Sequence, residues 1–469
     1  MSPFEEQFVT TIAAHGFFNE ERPIWIARAP GRLDVMGGNV DYTGGMVLQR
    51  VLREVVQVAV QPRTDDIIRI LNPGAAEFGW QPSIELETKI LGDLESLRFV
   101  CNRSESSRWI CYVLGALHFL KIRHGWGSTG GADLFIASDL PPNKGVSSSA
   151  ALEIAVLKAA SASYGFALDG IALASAGQWV ENVVVRAACG IMDQAAIVLG
   201  EENSLIPMLC QPCRPMPVVK LPHDLRIWGI DSMVCRSTTG VAYETARAAT
   251  FIGYKLICLR EGIDVVWEEV SEIPRWTDGR WKGYLSNLAP SEFRSRYERW
   301  LPESLSGREC LARVEAHADP FTTINPDREY PIRAAVRYAS EENLRVQMVH
   351  ALLESCGSVT SNNTLRLIGE ILCQSHAAYA ECGLHSEACD DLVSRALQAG
   401  FAGAKMTGGG AGGVVAIIGR PEGQRAIHRI IEDYSADRGG TPHLFQGSSN
   451  GVDASASLIP LLLSFQEGQ

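Results

Sequence analysis

No run in the sequence approaches the roughly 18 apolar residues that cross a membrane. The opening MSPFEEQFVT carries acids where a signal peptide carries basic residues ahead of an apolar stretch, so no secretion signal is expected. The twelve cysteines are therefore expected to be reduced, in a cytoplasm. The C-x-x-C of Cys210 and Cys213 has no second pair at zinc-like spacing and holds Pro212, which argues against a metal centre there. Basic charge is short too: 42 Lys and Arg against 54 Asp and Glu give a formal net charge of -12. That balance disfavours nucleic acid and anionic membrane as partners, because both need a basic surface. Internal repeats and low-complexity tracts do not stand out, and the G-x-x-x-x-G-K-[ST] of a Walker A loop is missing.

The chain does have length, with 469 residues of which 46% are hydrophobic. One core seldom organises that many residues, so a bilobal α+β molecule is expected, divided into residues 1–215 and 216–469. The segment IWIARAPGR reads as a short strand broken at Pro30-Gly31, and MVLQRVLREVVQVAVQPR as further strands. SSRWICYVLGALHFLKIRHG and GIALASAGQWVENVVV read as helices, and RIWGIDSM as a strand. From about 260 to 330 periodicity fades while Trp, Pro and Arg become frequent, which reads as a surface insertion in the second lobe.

Eleven of the 44 glycines fall in three stretches. APGRLDVMGGNVDYTGG, residues 29 to 45, holds five of them with one arginine and two acids. The stretch ADLFIASDLPPNKGVSSSAALEIAV reads as strand, Gly/Ser loop and helix, an order that turns backbone N–H groups and a positive helix end toward an anion. Gly145 clears the approach, and the serines add hydroxyls for phosphate or Mg²⁺; a serine-rich helix cap is the alternative. KMTGGGAGG, residues 405 to 413, has five glycines in nine positions, which calls for either a tight turn or a ligand against the backbone.

In this order and spacing the three stretches resemble the motifs of the GHMP kinases, small-molecule kinases with a two-lobed fold and the active site in the cleft between lobes. Together with CGIMDQ, GVAYETAR, INPDREYPIRAAVRY, CGLHSEACDDLV and LFQGSSNG, they resemble the sugar 1-kinases of the galactokinase and L-arabinokinase type, and most of all the latter. The resemblance implies ATP as co-substrate, Mg²⁺, and a small sugar phosphorylated on its anomeric hydroxyl. Asp193 is implied as the base and Arg32 as the cation beside it. Lys144, Gly145, Val146, Ser147, Ser148, Ser149 and Ala150, with Gly408, Gly409 and Gly410, are implied at the nucleotide. Ser149 (or, less favoured, Ser148) and Glu181 are implied as Mg²⁺ ligands. Trp109 either lies near the adenine or is core. Asp41, Tyr42, Gly38, Asn39, Gly190 and Tyr243 are implied at the sugar.

Galactokinases have Glu-His, near the C6 end of the sugar, where this chain has Gly38-Asn39. L-Arabinopyranose is galactopyranose without its C6 hydroxymethyl group, so the exchange favours L-arabinose. Restoring Glu-His is expected to shift preference toward galactose by about 1–3 kcal/mol. Losing the Glu also relieves repulsion of a C6 carboxylate, which keeps galacturonate open beside galactose. A catalytically silent sugar and ATP sensor is the alternative of another class.

Overall fold

A β-rich stretch opens the chain, and its two long strands carry the first glycine motif between them. This computed structural model describes residues 3–128, 130–235, 240–268, 275–454 and 461–462. Strand β1 (Trp25–Met36) pairs antiparallel with β2 (Met46–Pro62). Pro30-Gly31 does not end β1 as expected; the strand runs on through a register shift between Pro30 and Arg32 and a second between Asp34 and Met36. A bulge tolerates a proline because the missing N–H falls where the ladder is already interrupted. Gly31 is needed there, since a Cβ would lie 2.5 Å from Leu140. The true loop of the motif is therefore residues 37–45.

Strands β3 (Ile67–Leu71), β4 (Ser83–Glu87), β5 (Ala132–Ser138), β6 (Ser204–Leu209), β7 (Arg214–Pro215) and β8 (Val219–Lys220) complete an eight-stranded sheet with the order β4-β3-β5-β2-β6-β7. β1 joins it on β2 and β8 on β6. All its pairings are antiparallel except β3 with β5. The helix Ser148–Ser163 packs on β1 and β2, with Ile110–His124 and Gly170–Trp179 against it.

A second, four-stranded antiparallel sheet uses β9 (Arg226–Asp231) and three strands from the far end of the chain; the passage from one sheet to the next falls between Lys220 and Arg226. Residues 265–330 contribute the hairpin β10–β11 (Val265–Glu268, Arg275–Asp278) and the short pair β12–β13 (Leu305–Ser306, Glu329–Tyr330). The four-stranded sheet then has the order β14-β15-β9-β16, with β14 (Gly403–Met406), β15 (Val414–Gly419) and β16 (Leu444–Phe445). One hydrophobic core runs through both sheets.

The 260–330 segment, outside the undescribed 269–274, packs round a core of its own in which Trp276, Trp281, Phe293, Tyr297 and Tyr330 meet the helix Val241–Glu261. Its side chains converge from many short elements, which is why no helical or strand period shows in the sequence. The long helix Ile332–Glu354 follows and fastens the 37–45 loop: Asn343 Oδ1 accepts from Met46 N at 2.9 Å, and Tyr338 Oη donates to Gly38 O at 2.7 Å.

Candidate active site

Two cavities meet at Cys189, which lines both. The smaller, about 460 Å³, lies at the Gly/Ser loop; the larger, about 730 Å³, lies between the 37–45 loop and the 265–330 segment.

The loop between β5 and the helix Ser148–Ser163 turns on three left-handed residues, Asn143 (φ 59°), Gly145 (φ 74°) and Ser147 (φ 60°). Ser147 occupies the cap position, yet its hydroxyl makes no cap hydrogen bond. It donates instead to Asp193 Oδ2 at 2.5 Å. Arg32, leaving the β1 bulge, donates through Nε (2.9 Å) and Nη2 (2.7 Å) to Asp193 Oδ1, and through Nη1 to Gly145 O at 2.7 Å. Asp193 also stands in the first turn of the helix Met192–Leu199, where the positive end of the dipole favours a carboxylate. Arg32 is buried, while the Asp193 side chain is 23% exposed and so remains open to the smaller cavity.

Glu181 opens a π-helical turn (Val180–Val185) that prolongs the helix Gly170–Trp179. Ser149 Oγ donates to its Oε1 at 2.7 Å, and burial pushes the Glu181 carboxyl up. Hydroxyl and carboxylate are hard-oxygen donors that suit Mg²⁺, which takes its other ligands from phosphate and water. Among the described residues no group of three His, Cys, Asp or Glu side chains is arranged to hold a metal. Ser148 lines the same cavity. Trp109 is part of the core and, with Trp80, Phe78 and Tyr112, also lines the smaller cavity, its Nε1 donating to Gln81 O at 3.1 Å.

Asp41, Tyr42 and Gly190 line the larger cavity. Burial, and secondarily the nearby Asp193, raise Asp41 to about 6. A Cβ on Gly190 would lie 2.0 Å from Asp41 Oδ2, so glycine is required for the two loops to close on each other.

Other expected residues take different places. Lys144 does not face the smaller cavity; its Nζ pairs with Asp231 Oδ2 on β9 at 2.7 Å. Val146 and Ala150 are fully buried in the core, because their positions on the loop and helix face the sheet. Gly408, Gly409 and Gly410 line neither cavity: Gly408 N donates to Asp34 Oδ2 at 2.9 Å, and Gly408 O accepts from Tyr379 Oη. That turn supports Gly38 and Asn39, which are likewise absent from the cavity walls; Asn39 is buried at φ 63°. Tyr243 stands behind the wall, its hydroxyl donating to Ala188 O at 2.9 Å and its ring edge-on to Tyr42.

The sequence resembles known proteins along most of its length. Residues 15–62 match the galactokinase galactose-binding signature, 111–201 the GHMP kinases N terminal domain, and 348–436 the GHMP kinases C terminal. The chain belongs to the GHMP kinases. Within this family it stands with the galactokinase and L-arabinokinase branch. It is 34% identical to L-arabinokinase from Arabidopsis thaliana across 94% of its own length, but spans only 47% of that relative. It is 28% identical to galactokinase from Streptomyces coelicolor over 91% of this chain and 92% of the relative. The crystal structure of Lactococcus lactis galactokinase complexed with galactose superimposes with a TM-score of 0.73 at 21% identity, covering 95% of this chain and 98% of that one. A mevalonate kinase structure follows at 0.53 and 13% identity, over 91% and 99%.

In this GHMP kinase, sequence reasoning missed Cys189, the partition between the cavities, and the Arg247–Asp319 pair in the larger one. Arg247 lies in the quoted GVAYETAR and was within reach. Asp319 sits in a stretch with no motif, 72 residues further on. No helix among the described residues is long and apolar enough to cross a membrane.

Proposed function

We propose that this kinase transfers the γ-phosphoryl group of ATP to the anomeric hydroxyl of a galactose-like sugar, with L-arabinose as the acceptor. The reading rests on one observation above the rest: Asp193, held by two Arg32 nitrogens and by Ser147, lines the smaller cavity, which shares Cys189 with the sugar-sized cavity walled by Asp41.

Phosphoryl transfer asks a protein for positioning and charge stabilisation more than for covalent chemistry. Asp193 accepts the proton of the sugar C1 hydroxyl as that oxygen attacks, with two donors from Arg32 fixing its Oδ1. Arg32 also fixes Gly145, so the loop that faces the phosphates is set relative to the base. Ser149 and Glu181 would hold Mg²⁺, which would supply charge neutralisation at the phosphates. Asp41 orients the ring hydroxyls from the other side, with Gly190 giving it room. Residues up to about 215 then supply the phosphate and base machinery, and the remainder closes the sugar side.

The preference for L-arabinose is supported by the 34% identity with L-arabinokinase across 94% of this chain. Gly38 lies outside the cavity walls, and a Cβ there would lie 2.3 Å from Tyr379 Oη, 2.4 Å from Gly408 O and 2.6 Å from Asp34 Oδ2. The test is an ADP-coupled assay over L-arabinose, D-galactose and D-galacturonate, with phosphorus NMR of the product. We expect kcat/KM highest for L-arabinose and the phosphate on C1. Galactose as the best substrate would overturn the choice of sugar, and sugar binding without turnover would make the protein a sensor.

A further inference from the structure

Two buried side chains in the wall of the larger cavity cancel each other. Arg247, from the helix Val241–Glu261, donates through Nε to Asp319 Oδ2 at 2.8 Å and through Nη2 to Asp319 Oδ1 at 2.9 Å. Its Nη1 donates to Ala188 O at 3.0 Å, so each of its three nitrogens is committed. The guanidinium lies 4.6 Å from the centre of the Tyr42 ring and 5.3 Å from that of Phe321. Asp319 is fixed in turn by Thr322 Oγ1, which donates to its Oδ2 at 2.6 Å.

The charges of this space are therefore spoken for. Arg247 is bound to Asp319 and Asp41 adds a second carboxylate to the wall, while Asp193 with its Arg32 lines the neighbouring cavity. Arg123, the other basic residue of the wall, is exposed to solvent. A sugar acid entering here would give up water without meeting an uncommitted guanidinium, beside two carboxylates, and burying a charge on those terms is costly. The raised Asp41 is in keeping with such a field, since burial and Asp193 already oppose one more negative charge. Were Asp319 neutral, Arg247 would be a fixed fork stacked on an aromatic ring, a side chain well suited to a carboxylate.

We propose that Asp319 is a specificity-determining residue which, by cancelling Arg247, closes the sugar cavity to hexuronic acids and reserves it for neutral sugars. The proposal rests on the reading that the larger cavity holds the sugar. It also gives the 265–330 segment a role in selection, because that segment delivers Asp319 to the wall.

Galacturonate and galacturonamide have nearly the same shape and differ in charge, so their comparison isolates the effect. Affinity is measured by calorimetry and kcat/KM by the coupled assay, with L-arabinose turnover recorded in parallel. In the wild type the amide is expected to be favoured over the acid by about tenfold or more, the scale of like-charge exclusion. Asp319→Asn should lower that ratio by about tenfold, and the double variant Arg247→Gln/Asp319→Asn, which again carries no net charge in the pair, should restore it. A wild-type ratio near one, no binding of either compound, or a folded Asp319→Asn with an unchanged ratio overturns the proposal. Should Asp319→Asn not fold, the wild-type and double-variant ratios still decide. Absence of L-arabinose turnover with the ratios as expected would count against the sugar we chose and not against Asp319.

Discussion

Asp193 gathers three hydrogen bonds on one carboxylate, two from Arg32 and one from Ser147. Asp193→Asn keeps the shape and removes the proton acceptor. We expect nucleotide affinity near wild type with kcat lowered by about 10²-fold or more, measured by titration and coupled assay. Asp41 gives a pH prediction. Its folded value of about 6 lies above the ordinary 3.8, so the native state prefers the protonated form. The stability this brings is complete below about pH 4 and is lost as pH rises through 6. Asp41→Asn should therefore be the more stable protein at pH 8 by up to about 3 kcal/mol, with the advantage fading in acid, as followed by denaturant unfolding. In the wild type kcat/KM should rise through about pH 6 as Asp41 ionises, a limb the variant lacks. Residue identities of this kind were legible where a motif carries them, as at Arg32 and Asp193. Asp319 was not, because its role comes from a partner 72 positions away.

Among the elements, the strand, loop and helix around Ser147 were readable because apolar runs flank a Gly/Ser stretch on both sides. The first glycine motif was misread at its start, since Pro-Gly ordinarily ends a strand and here forms a bulge that continues it. The chemistry expected of Gly38-Asn39 also changes. From the sequence alone, Glu-His at these positions is expected to shift preference toward galactose by about 1–3 kcal/mol. With Tyr379 Oη, Gly408 O and Asp34 Oδ2 all within 2.6 Å of a Cβ on residue 38, even Gly38→Ala must displace backbone. Gly38→Ala is expected to cost about 1–3 kcal/mol in unfolding, the usual cost of overpacking. Gly38→Glu/Asn39→His should lose activity on both sugars before it changes their ratio; a clean shift to galactose in a protein of unchanged stability would show that the 37–45 loop yields.

Across the whole molecule, elements far apart in sequence converge on a few contacts. Lys144 of the phosphate loop meets Asp231 of the second sheet, and the third glycine turn lies under the first. Neither contact has a sequence signature, because a turn that cradles another turn and one that cradles a phosphate use the same residues. Arg32 holds Gly145 O with one arm and Asp193 with the other. In the function proposed above, the loop at the phosphates and the base at the sugar are tied to one arginine, so whichever ligand arrives first settles part of the arrangement for the second. Thermodynamic reciprocity then requires that a non-hydrolysable nucleotide tighten sugar binding by the same factor by which the sugar tightens nucleotide binding. We expect that factor to be about 5–150, the usual range of site-to-site coupling, and to collapse toward one in Arg32→Met when both titrations are run in both orders.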